Sequence, residues 1–119
     1  MKVDTSKLIF SKAGNLVYRG YYWVEDKEHC CCLEDYQFVA MMQSKKALLE
    51  ETYMLLKSIA EKSIKIDNFV YLPKGILKPR KGREIIEIEL EPDLSDRILN
   101  FVETGGSYRY ACDTSEAYQ

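Results

Sequence analysis

ALLEETYMLLKSIAEK, residues 47–62, carries apolar side chains at helical spacing for about four turns, and no other window in the chain is as long or as periodic. On a 100° wheel Leu48, Thr52, Leu55 and Ile59 stack on one line, and Leu49, Tyr53, Leu56 and Ala60 widen the arc to one side. Lys46, Glu50, Lys57 and Glu61 occupy the opposite arc, so the segment reads as a helix laid on a core by its Leu55 face. Met54 and Ala47 sit on the polar back, which suggests a second apolar contact such as a homodimer.

Upstream, YQFVAMM is ambiguous between a strand and the first helical turns. Asp35 as N-cap would place Glu34 and Asp35 at the positive end of the helix dipole, whereas Ser44 would set Lys45 and Lys46 against it. The dipole favours the earlier start. Before that, Lys7–Ser11 reads as a short strand and Ala13-Gly14-Asn15 as a turn. Leu16–Glu25 reads as a second strand with aromatic bulk on both faces, Asp26-Lys27-Glu28 as a reversal, and His29–Leu33 as a third strand. Of the two neighbouring rings Tyr21 and Tyr22, Tyr22 is expected in the core and Tyr21 at a surface.

Downstream, the β-branched Ile64 and Ile66 mark a change of period, and Lys65–Leu72 reads as a strand. After a connection bracketed by Pro73 and Pro79, Glu84–Glu91 alternates Ile86, Ile88 and Leu90 with Glu87, Glu89 and Glu91, the clearest strand in the chain. Pro92 ends it, Asp93 offers an N-cap for a short helix through Leu99 and Val102, and Gly105-Gly106 closes that helix before a last strand near Tyr108–Ala111. The order β-β-β-α-β-β-α predicts an α+β domain spanning 1–119, a single-layer, mostly antiparallel sheet packed against one long amphipathic helix.

Composition narrows the function. The 119 residues are 46% hydrophobic, with 17 Lys and Arg against 19 Asp and Glu, so no global positive field draws the protein to nucleic acid or anionic lipid. The longest apolar run is Phe38–Met42, too short for a membrane span or a signal-peptide core. Cys30, Cys31 and Cys32 are consecutive and unsuited to pairing with one another, which points to a reducing, cytoplasmic setting. Extended backbone sends Cys30 and Cys32 to one face and His29 and Cys31 to the other, so neither a zinc site completed by Cys112 nor a Cys–His dyad is expected. No metal, cofactor or catalytic group is expected.

Two features remain as candidate binding surface. Lys74, Lys78, Arg80, Lys81 and Arg83 form an acid-free basic loop between Pro73 and Arg83, and six acids follow with no intervening base. The strand before the first reversal concentrates Tyr18, Tyr21, Tyr22 and Trp23, and Tyr21 and Trp23 share its second face. These residues predict a small non-enzymatic interaction module, an inhibitor or accessory factor docking on a larger protein or ribonucleoprotein complex. The alternatives are a nucleic-acid binder and a binder of a small anionic ligand, each using the basic loop.

Overall fold

The computed structural model describes residues 8–33, 38–73 and 77–110. Its order is β1 (Val17–Glu25), β2 (Glu28–Leu33), β3 (Phe38–Met42), α1 (Lys45–Lys65), β4 (Val70–Leu72), β5 (Glu84–Glu89), α2 (Pro92–Glu103) and β6 (Tyr108–Tyr110). The fold is α+β, as expected: an antiparallel four-stranded sheet in the order β3-β2-β1-β5, with α1 lying over β2 and β3. A separate parallel pair, β4 and β6, joins segments far apart in sequence. Among the described residues no helix is long and apolar enough to cross a membrane.

The β1–β2 hairpin turns through Asp26 and Lys27, both with positive φ, the two-residue geometry whose twist matches the flanking strands. Period-2 alternation then sorts the sheet into two faces. Leu16, Tyr18, Cys31, Leu33, Ala40, Ile86, Ile88 and Leu90 face the helices and form the core with Leu48, Leu56 and Ala60 of α1 and Leu94, Ile98 and Val102 of α2. On β5 the expected alternation holds, with Ile86 and Ile88 buried and Glu87 and Glu89 exposed.

Four local expectations are corrected. The helix does not begin at Asp35, which lies outside the described residues. Residues 38–42 pair with β2, and Ser44 caps α1 by accepting the Ala47 N–H at 3.1 Å. Two lysines therefore do open the helix; Lys45 turns back over the Tyr22 ring, 4.6 Å from its centroid, toward Glu84 at 3.7 Å. At the other end α1 runs through Ile64 to Lys65, and the strand expected from Lys65 shrinks to Val70–Leu72. The helix stops without glycine because Asp67 adopts φ 54°, and the N–H groups of Asp67 and Asn68 cap the carbonyls of Ile64 and Ser63. The segment expected as a first strand is reduced, among the described residues, to isolated bridge positions at Leu8 and Phe10, the latter paired with Leu16, and Lys7 lies outside the described residues. On α2, Glu91 rather than Asp93 is the N-cap residue and Pro92 takes the first helical position, where its missing N–H costs nothing. Gly105-Gly106 closes that helix as expected: Gly105 at φ 102° and its neighbour donate to Val102 and Phe101.

The buried line of α1 is Leu48, Thr52, Leu56 and Ala60, and Leu55 and Ile59 flank it half-buried, a rotation of the expected face. Among the described residues Thr52 Oγ1 is buried without a well-formed hydrogen bond, with the Cys31 thiol beside it. Thr52→Val keeps the shape and removes the orphaned hydroxyl. We expect it to raise stability by about 1 kcal/mol, read as a higher urea midpoint at unchanged m, whereas a loss of stability would mean that the hydroxyl is satisfied.

Candidate functional site

From Lys78 to Arg83 the basic loop lies against the molecule rather than standing away from it. Arg80-Lys81-Gly82-Arg83 is a tight turn closed by a hydrogen bond from Arg83 N–H to the Arg80 carbonyl, with Gly82 at φ 76° in the third position, where such turns need a positive value. The β1–β5 register pairs Tyr22 with Glu84 and Tyr21 with Ile85, so the chain entering β5 runs alongside Trp23. The turn thereby brings both of its end residues onto the outer face of the sheet, away from α1. The Arg80 guanidinium lies 4.6 Å from the Tyr21 ring centroid and that of Arg83 4.0 Å from the Trp23 centroid. The Tyr21 hydroxyl donates to the Lys78 carbonyl and pins the loop from beneath. Lys78 and Lys81 are exposed, and Lys74 lies outside the described residues.

This geometry reverses the expectation for the two tyrosines. Tyr21 is 2% exposed, covered by the loop, while Tyr22 is the half-buried one, its hydroxyl sharing a 2.6 Å hydrogen bond with His29 Nδ1. Tyr21 thus supports Arg80 from below and leaves the accessible aromatic surface on this face to Trp23. The Trp23 indole N–H donates to Glu25 at 3.3 Å.

Strand register extends the patch to residues that the sequence did not single out. Tyr21 is level with Cys32 and Val39, and Trp23 with Cys30 and Met41, so two rows cross β1, β2 and β3 on the outer face. Val39 is 57% exposed and Met41 53%, the apolar continuation of the Arg–Trp pair. The signal was present in FVAMM, but it becomes readable only when that run is a strand with alternate residues turned outward. Acidic residues bound the patch: Glu25 and Glu28 at the hairpin end, and Glu87, which holds Arg19 at 2.8 Å, on β5.

The three thiols divide between the faces as expected. Burial pushes the Cys31 thiol up to about 11, with the Thr52 hydroxyl pulling the other way, so it stays protonated at neutral pH. Burial also raises Cys30, aided by Glu25 and Glu28 and opposed by Arg83. Both behave as packing groups rather than nucleophiles. Among the described residues no three His, Cys, Asp or Glu side chains converge on a point that would hold a metal, and Cys112 lies outside them. Met54, on the opposite side of the molecule, is 58% exposed beside an apolar groove of about 530 Å³ between α1 and β5, lined also by Leu49, Tyr53 and Ile88.

No protein-family model, curated protein or solved structure matches this chain.

Proposed function

We propose that the protein is a small non-enzymatic docking module, an inhibitor or accessory factor, that binds a larger protein through the outer face of its sheet. The observation that carries this reading is the pair of arginines laid on Tyr21 and Trp23 beside exposed Val39 and Met41. Arg, Trp and Met are enriched at protein interfaces, and a guanidinium held over a ring is already ordered before binding, so less side-chain entropy is lost on contact. Lys78 and Lys81 at the margin supply the positive field that an acidic partner surface would complement.

The same observation weighs against the alternatives. A phosphate backbone is tracked by an uninterrupted basic stripe, but here Glu25, Glu28 and Glu87 border the arginines, and exposed valine and methionine serve no phosphate contact. A small anion would likewise gain nothing from the Val39–Met41 surface. Three consecutive cysteines on one strand suit a reducing cytoplasm, where this reading places the protein.

The test is kinetic, on a partner captured from a native lysate. Arg80→Glu with Lys81→Glu should slow association about tenfold and flatten its salt dependence. Trp23→Ala should accelerate dissociation by about thirtyfold, the magnitude of an interface hot spot. Unchanged rates in both variants would reject this face as the interface. Steeply salt-dependent binding to random-sequence DNA would favour the nucleic-acid reading instead.

A further inference from the structure

The two edges of the four-stranded sheet are built differently. β5 carries Glu84, Glu87 and Glu89, charges of the kind that keep an exposed edge from pairing with other strands. At the opposite edge β3, Phe-Val-Ala-Met-Met, has no charged residue, no proline and no glycine, and among the described residues it pairs with β2 alone. Val39 and Met41 project from it into solvent while Ala40 is buried against the core. An apolar, uncharged edge is a template for another strand, and among the described residues β3 lacks the charges that guard β5.

We propose that β3 pairs with β3 of a second copy, in antiparallel register about Ala40, to give a two-fold dimer with one continuous eight-stranded sheet. The strand is complementary to itself. A two-fold axis through Ala40 sets Val39 of one copy level with Met41 of the other on the outer face, an aliphatic cross-strand pair with no like-charge opposition. The same operation applied to β5 about Glu87 would set glutamate against glutamate.

The helix layer supports the same axis. α1 lies over β2 and β3, and on its flank away from the β5 groove Leu55 and Ile59 are only half-buried, which leaves apolar helix surface for a second copy to cover. Joining the sheets would also double the proposed docking face.

Sedimentation equilibrium of the purified full chain tests the pairing. The wild type should form a reversible dimer of 13.9 kDa protomers. Val39→Lys and Met41→Lys, both at exposed positions, should each raise its dissociation constant at least about tenfold, because each lysine enters a two-fold interface twice. Trp23→Ala, on an interior strand, should leave the dimer intact, which separates this proposal from the docking reading. Hydrogen exchange on the wild type gives a second readout independent of any variant: β3 amides should gain protection as protein concentration rises. A monomer at concentrations up to about 1 mM, or a dimer indifferent to both lysines, would overturn the proposal. So would β3 protection that arises only with a captured partner, which would assign the edge to that partner's strand.

Discussion

Leu56→Ala is expected to lower the free energy of unfolding by about 2–5 kcal/mol, among the largest effects of any single truncation in this chain. Leu56 has no solvent exposure and lies on the line Leu48–Thr52–Leu56–Ala60 that α1 presents to the sheet, so its loss leaves a cavity bounded by strands and helices that are themselves paired or packed. Leu55→Ala, one position away and half-buried, should cost distinctly less, because water already reaches part of its surface. Urea denaturation of the two variants side by side is the measurement. Equal losses would mean that the helix is rotated about its axis relative to the face described here.

Gly20→Ala is expected to cost about 3 kcal/mol, at the upper end of what overpacking produces, even though it adds a single methyl group. A Cβ at this position would sit 2.6 Å from the Cys32 carbonyl oxygen and 3.2 Å from Leu33. The obstruction is backbone of β2, and β1 is paired on both sides, with β2 and with β5, so neither strand has room to yield. By contrast Gly14, with open space around its Cβ direction, should show only the strain of its positive φ. Thermal melts of the pair separate the two causes, and a Gly20 variant as stable as the wild type would contradict the packing of β1 on β2.

Much of this architecture is written in short-range pattern. EIIEIELE alternates with the sheet period and is half-buried for that reason; the Glu25–Glu28 reversal and the Gly105-Gly106 stop act within a few residues of themselves. The basic loop was likewise visible as composition, as was the crowding of aromatic residues on β1.

What the sequence by itself determined is therefore the α+β class, the long helix, the β1–β2 hairpin, the second helix and the buried face of β5, because hydrophobic period and turn chemistry are properties of consecutive residues. Tertiary structure alone decided whether Phe38–Met42 is a strand or the start of a helix, since its apolar residues satisfy either period until β2 supplies backbone partners. It also decided which tyrosine is buried. Tyr21 and Tyr22 have the same chemistry and opposite faces, and the choice falls to the loop that returns some 57 positions later to accept the Tyr21 hydroxyl and lay Arg80 over its ring. The parallel pairing of β4 with β6 is of the same kind. Hydrogen bonds and ring contacts between segments distant in the chain leave no periodicity in either segment, so the surface proposed for docking exists only once the two are brought together.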